Sequence, residues 1–520
     1  MAARSGRPGL VVLAAVLGVV MDGVDMSAVT VANPLIAADL GGGLADLQWV
    51  TNAYVLATAA ALITAGTLGD RFGHRRLFLV GLTGFTAGSV LAGTAGSVEM
   101  MIVWRAVQGA FGAVLMPCSL ALLRLTFPPH ELKRVIGLWG GMMALTIAGG
   151  PFVGGVVADL AGWRWIFFVN VPVATVAVLV TVLAVPSVRA PGSARALDVP
   201  GAVLLTGVLV GVVWALIRVP SAGWGDAAVL TAFAAAGALL VLLVLRERRA
   251  ADPLVPPALF RSRPFSAGLA ISTLAPVPMF GAVFFIGLYL QNVRGFGPMA
   301  TGGVLVSVLA LFAFGAPLSG LLNQRFGPRL PLLCGALLTM AGLAGLSRLT
   351  VDTPVAALVP FLLMLGLGVG FTAPAAAEVV VGNAPAGLAG VSSGLQHTAG
   401  MVGMSLGISV YGTLVGFRID AVLADRLAAA GVPPDAAARI TGRIGEIAQG
   451  VVPLPGGLPA GVAEAATEAG HAAFVTGMRL ALLAGAGVAV AQAVLASLVG
   501  GPERESEPDA KVSPAPSMDR

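Results

Sequence analysis

Charge is scarce in this sequence. Asp, Glu, Lys and Arg make up 11% of its 520 residues, where soluble domains carry about 25%. A globule of this length has no other means of covering its surface. The mean hydropathy of +0.93 therefore excludes a soluble enzyme, a secreted disulfide scaffold and a disordered chain. Cysteine is nearly absent. Cys118 and Cys334 both lie in apolar runs, which excludes a disulfide framework, and no His, Cys or Asp cluster has metal-ligand spacing. Lysine is nearly absent too: Lys133 and Lys511 stand alone. No Gly-x-x-x-x-Gly-Lys loop exists, so this chain does not drive transport with ATP. The net charge of +5 is not gathered into basic runs with interleaved aromatics, and no nucleic-acid partner is expected.

What fills the chain is apolar segments of bilayer length. A span takes roughly 20 apolar residues. Fourteen segments qualify: 10–31, 47–68, 77–97, 100–122, 137–160, 165–185, 199–217, 226–245, 266–290, 300–322, 330–349, 354–375, 391–415 and 476–499. The 70 Gly and 34 Pro suit such helices, where small residues allow close packing and neighbours repair proline breaks. The expected fold is an all-α membrane protein. Arg4 and Arg7 precede the first run, but Asp22 and Asp25 follow without a cleavage site, so the run reads as an uncleaved span. With the N-terminus in the cytoplasm, twenty basic residues fall on cytoplasmic segments and nine outside. This is the positive-inside bias, and it puts both termini in the cytoplasm of a multi-pass protein of the cytoplasmic membrane. Residues 416–475 read as an outer loop with short amphipathic helices, and 501–520 as a disordered cytoplasmic tail.

The sequence repeats itself. Gly66-Thr-Leu-Gly-Asp70-Arg71-Phe72-Gly73-His-Arg75 follows the second span, and Gly320-Leu-Leu-Asn-Gln-Arg325-Phe-Gly327-Pro-Arg329 follows the tenth. The shift from residue 71 to residue 325, 254 positions, also carries the first span onto the ninth, the fourth onto the twelfth and the fifth onto the thirteenth. The expected organisation is a six-helix bundle over 1–190, a two-helix insert over 191–262 and a second six-helix bundle over 263–500. Parallel repeats around a central pathway are the architecture of an alternating-access transporter.

At these residues the chain resembles the major facilitator superfamily, itself the standard example of that architecture. Gly66 through Arg76 resembles its signature loop between spans two and three. The fourteen-span drug:proton antiporters match best. Their motifs are matched by Asp25 through Pro34, by Gln48-Trp-Val-Thr-Asn-Ala-Tyr54, by Arg105-x-x-Gln108-Gly109 and by Gly150-Pro151-x-x-Gly154-Gly155. Trp163-Arg-Trp-Ile-Phe167, Asp198-x-Pro200-Gly201 and Tyr289-Leu-Gln-Asn292 match as well. The resemblance implies that Asp25 and Arg105 take part in proton coupling. It implies that Gly66, Asp70, Arg71, Gly73 and Arg75 form a conformational gate, and that the Gly150–Gly155 motif marks an exporter. Three departures bear on substrate and coupling: the extra acid Asp22, Asn33 in place of an apolar residue, and His397 in a thirteenth span where Gly400 replaces an expected Arg.

Elementary physics supports several of these roles beside plainer alternatives. Asp22 and Asp25 lie mid-span and three apart, hence on one helical face. A carboxylate there costs about 2.5–3.5 kcal/mol on insertion scales, so it faces a cavity and has a task. Proton carriage is that task, or else a structural ion pair. At 1.5 Å per residue, Asp25 and Arg105 lie roughly 22 and 25 Å from the inner surface, which allows them to meet. The alternative for Arg105 is to snorkel outward. Topology alone explains Arg71 and Arg75 but not Asp70. Gly150, Pro151, Gly154 and Gly155 supply a kink and a small face, whether for leak prevention or plain packing. Glu378 maps by the repeat onto Arg124 and reads as interface solvation. His397 either titrates or packs, and Met21, Met116, Met142 and Met143 form either an adaptable binding surface or core.

The expected function is proton-coupled export of amphipathic drugs or antibiotics. The partners are that small molecule, protons and the lipid bilayer, and the chain acts as a monomer without catalytic residues, metal or cofactor beyond the proton gradient. Proton-coupled uptake and a non-transporting scaffold are the alternatives. The fifth-span motif argues against the first, and the signature loop with the buried acids against the second.

Overall fold

The computed structural model describes residues 8–185, 198–250, 253, 255–385 and 388–499, and every regular element among them is helical. The first half holds α1 (Pro8–Leu40), α2 (Leu44–Phe72), α3 (His74–Gly93), α4 (Val98–Gly112), α5 (Leu115–Thr126), α6 (Pro129–Ala161), α7 (Arg164–Phe168) and α8 (Asn170–Ala184). A hairpin of α9 (Val199–Ala222) and α10 (Ala227–Glu247) follows. The second half holds α11 (Arg263–Leu274), α12 (Pro276–Leu288), α13 (Pro298–Phe326), α14 (Arg329–Leu346), α15 (Val355–Gly382), α16 (Ala389–Ala429), α17 (Pro434–Thr441), α18 (Ile444–Ile447) and α19 (Ala460–Leu498). The expected tail 501–520 lies outside the described residues.

Helices stand at all fourteen expected positions. Among the described residues twelve are long and apolar enough to cross a membrane, taking α4–α5, α7–α8 and α11–α12 as single spans, and bent α6 makes thirteen. Helix α2, at the second position, has 29 residues and buries the polar side chains of Gln48, Thr51 and Asn52. The interruptions have local causes. Pro117 and Pro276 lack the N–H that would continue a helix through the α4–α5 and α11–α12 joints. Pro151 lies in the second limb of α6, whose two limbs meet at 42°.

The repeat is visible in the backbone. Gly73 ends α2 at φ 90° and Gly327 ends α13 at φ 76°, at positions related by the same 254-residue shift. Only glycine adopts this conformation without strain.

The segment read as an outer loop, 416–475, is more continuously helical than the sequence suggested. Helix α16 continues to Ala429 and α19 already begins at Ala460, leaving only α17, α18 and their links between them. Alanine-rich segments with spaced charges are good helix formers. Hydropathy marks where a span leaves the bilayer, not where the helix ends. Helix α18 packs on α2, α9, α16 and α19, and Asn292 donates to the carbonyl of Gln449 at 2.7 Å.

Two faces can now be named. The loop face carries residues 430–459, and the basic face carries Arg71, Arg75, Arg76 and Arg325. The halves join through α6 with α13, α2 with α16 and α1 with α12. By contrast, α5 and α11, the basic-face halves of their spans, pack within their own halves. Ideal Cβ positions at Gly137, Gly140 and Gly141 on α6, and at Gly394 and Gly400 on α16, meet nothing within 4 Å. The halves therefore meet toward the loop face and part toward the basic face. The hairpin lies alongside, with Asp198 capping α9 through Gly201 N at 2.8 Å and pairing with Arg246 at 2.6 Å. That cap and ion pair account for the Asp198-x-Pro200-Gly201 motif.

Candidate functional site

Three helices, α1, α4 and α8, meet at Asp25, which is 1% exposed. Its carboxylate forms an ion pair with Arg105 of α4. It also accepts from Gln108 Nε2 at 2.8 Å and from Asn170 Nδ2 of α8 at 3.0 Å. Arg105 does not snorkel: it is 1% exposed and donates further to Gln108 Oε1 at 2.7 Å and to the Val50 carbonyl of α2 at 3.3 Å. Asn170 donates in turn to Ser89 Oγ at 2.9 Å. The Arg105-x-x-Gln108-Gly109 spacing explains the arrangement. Arg105 and Gln108 share one face of α4. A Cβ at Gly109 would sit 2.2 Å from the Tyr54 carbonyl, so glycine lets α4 approach α2 closely enough to bury the pair.

Asp22 lies beside this group with a different partner. Tyr54 donates its hydroxyl to the Asp22 carboxylate, and the Arg105 guanidinium lies 4.3 Å over the Tyr54 ring. Gly112 makes room for both, because a Cβ there would meet Asp22 Oδ1 at 2.9 Å and the Tyr54 hydroxyl at 3.2 Å. The other departures lie apart from it. Asn33 is buried, with only a long contact to Thr51 Oγ1 at 3.5 Å and an Oδ1 that finds no partner. His397 is half-buried on α16, in the other half.

The glycines of α6 form two contact faces. A Cβ at Gly150 would meet Ser27 Oγ at 1.8 Å, and one at Gly154 would meet Ala28 Cβ at 2.5 Å, both on α1. A Cβ at Gly155 would meet the Pro298 carbonyl at 2.5 Å, and one at Gly302 of α13 the Pro151 carbonyl at 2.2 Å. Helix α6 is thus clamped between α1 of its own half and α13 of the other. Beside this clamp a narrow, largely apolar cleft runs between the halves, with Met26, Thr30 and Thr51 on one wall and Phe280, Phe284 and Met404 on the other. Of the methionines picked out in the sequence, Met21 is buried in the core of the first half, with Met116 and Met143 packed against it.

At the signature loop, Gly66 and Asp70 lie on α2, and the side chain of Asp70 lies outside the described residues. Arg71 is exposed, Gly73 makes the turn described above, and Arg75 donates to the Val182 carbonyl of α8 at 2.8 Å. In the second half, Glu378 is hydrogen-bonded by Asn323, so it joins α15 to α13 rather than only meeting solvent.

Sequence reasoning assigned no part to several residues that the fold brings into use. Asn170 is one. Its signal was a lone amide inside the apolar run Ile166–Val173, where an unpaired polar group is costly. Among the described residues, side-chain hydrogen bonds cross between the halves from Gln48 to the Ile408 carbonyl at 2.7 Å, from Asn52 to Ser409 Oγ at 3.0 Å and from Gln291 to the Val31 carbonyl at 3.0 Å. Gln48, Asn52 and Gln291 all sit in the motifs quoted above, but nothing in one sequence shows that their partners lie some 360 or 260 residues away.

Residues 15–408 match the sequence profile of the Major Facilitator Superfamily. The tetracenomycin C resistance and export protein of Streptomyces glaucescens is 43% identical over 505 residues, covering 97% of this chain and 93% of that one. The puromycin resistance protein of Streptomyces alboniger is 36% identical, covering 80% of this chain and 83% of its own. Among solved structures, a bacterial homologue of the human lysosomal transporter Spinster superposes with a TM-score of 0.66 at 17% identity, covering 95% of this chain and 96% of that one. That likeness is one of fold.

Proposed function

This chain belongs to the major facilitator superfamily, and we propose that it exports antibiotic-class organic molecules across the cytoplasmic membrane in exchange for protons. The observation that carries this reading is the near full-length similarity to a resistance and export protein. The site is compatible with it. The cleft between the two halves offers an apolar lining to an amphipathic molecule but must widen to admit one, and the group of Asp22, Asp25 and Arg105 suits proton binding. In this reading the halves, residues 1–190 and 263–500, rock about the cleft. The arrangement described here opens toward the basic face, which the charge bias assigns to the cytoplasm. It is the form that takes up substrate from inside, and Asp70, Arg71 and Arg75 then act as the gate on that face.

The test is expression in an efflux-deficient bacterial host. The reading predicts lower cellular accumulation of ethidium or tetracenomycin C and a raised inhibitory concentration for at least one of them, both abolished by a protonophore. Raised accumulation would indicate uptake. Unchanged accumulation of both compounds would contradict the reading.

A further inference from the structure

We infer that the transported proton rides on Asp22, while Asp25 remains the ionised partner of Arg105. This rests on the proton-coupled reading above and separates two acids that the sequence left together as candidates for proton carriage.

The two acids differ in what surrounds them. Asp25 receives a guanidinium N–H from Arg105 and amide N–H groups from Gln108 and Asn170. All are donors facing the carboxylate, and none of these contacts offers an acceptor for an acid proton. Protonating Asp25 would set its O–H against a donor and leave a buried guanidinium with only the neutral acceptors Gln108 Oε1 and Val50 O. Asp22 has a hydroxyl as its hydrogen-bond partner, that of Tyr54. A hydroxyl donates to a carboxylate and accepts from a carboxylic acid equally well. Asp22 is therefore built to exist in both forms with its bond to Tyr54 intact.

Charge balance points the same way. The groups acting on Asp22 are Tyr54 of α2, Asp25 of its own helix and Arg105 of α4. Two carboxylates one turn apart share one guanidinium, so the group carries one negative charge too many for a buried site unless one acid is neutral. Position agrees as well. Asp22 lies about 4.5 Å nearer the basic face than Asp25 along α1, and it keeps part of its surface accessible, whereas Asp25 does not. Loading adds one proton from water to the Asp22 carboxylate. Unloading returns that proton to water on the other side, and no other bond forms or breaks. The change is relayed to Arg105 through the Tyr54 ring, which touches both.

Infrared difference spectroscopy of the purified full-length protein, between acid and alkaline pH, tests this without a substrate. A protonated-carboxyl band should vanish in Asp22→Asn, persist in Asp25→Asn and shift in frequency in Tyr54→Phe, which removes its hydrogen bond. Persistence of the whole band in Asp22→Asn, or an unmoved band in Tyr54→Phe, would overturn the inference. In proteoliposomes, Asp22→Asn should still exchange ethidium without a gradient but lose acceleration by an imposed pH gradient. If it keeps that acceleration, the inference fails. If wild type itself ignores the gradient, the proton-coupled reading fails with it.

Discussion

The ring of Tyr54 lies between Arg105 and Asp22. One face carries the guanidinium at 4.3 Å, and the hydroxyl on its rim binds the carboxylate. A single aromatic side chain from α2 thus links the ion pair of α1 and α4 to the second acid one turn away. Gly109 and Gly112, on one side of α4, leave the space that this requires.

Breaking the ion pair from one side should cost more than removing it whole. Arg105→Gln leaves the Asp25 charge buried among neutral amides, and losing one partner of a buried pair costs about 3–5 kcal/mol. Asp25→Asn with Arg105→Gln removes both charges and should recover much of that stability. Thermal unfolding in detergent of both single variants and the double variant gives the coupling. A double variant as unstable as the sum of the singles would mean that the pair is not coupled.

The α6–α13 contact predicts a conformational phenotype for a single methyl group. In Gly302→Ala the new Cβ would fall 2.2 Å from the Pro151 carbonyl, which does not yield as a flexible side chain would. Closure of the loop face should fail while the protein still inserts. Transport should be lost, and a cysteine replacing the buried Ser409 should become reactive to an impermeant thiol reagent from outside. Normal transport and a protected cysteine would show that the contact is not a closing surface.

Gln48 makes a milder version of the same prediction. Gln48→Leu leaves the buried Ile408 carbonyl without its donor, at about 1–3 kcal/mol. Spent on one conformation only, this shifts the equilibrium roughly 5- to 150-fold away from loop-face closure. Cysteines at positions 52 and 409, whose native side chains meet at 3.0 Å, should cross-link in an otherwise unchanged protein and more slowly in this background.

The sequence made the helices legible because each span is a run of apolar residues bounded by charge, and the repeat because two loops share their glycines. It made Asp25 and Arg105 legible because a charge inside an apolar run has to be explained. The ends of α16 and α19 were not legible, since an alanine-rich helix does not stop where its hydropathy falls. Nor were the roles of Asn170 and of the Tyr54 hydroxyl. A polar group in a span announces that it has a partner but does not name it, and the partners here come from other helices. The α6 glycines were read as packing or as an exporter mark. The structure adds that they pack in two directions, onto α1 and onto α13.

Orientation follows from the basic residues and is directly testable. Arg76 and Arg439 are both exposed, one on the basic face and one beyond α16 on the loop face. In a background lacking Cys118 and Cys334, Arg439→Cys should react with an impermeant thiol reagent on intact cells. Arg76→Cys should react only after the membrane is opened. The opposite pattern would invert the topology and, with it, the direction of transport.

The central claim is exchange of an organic molecule against protons, and purified protein in liposomes tests it most directly. Tetracenomycin C or ethidium is supplied on one side, a pH indicator is trapped inside, and a pH gradient is imposed in either direction. The account predicts that the molecule accumulates on the more acidic side, that inverting the gradient reverses the movement, and that the indicator reports proton flow opposite to it. Movement of the molecule that is indifferent to the gradient, with no proton flow in return, would contradict it.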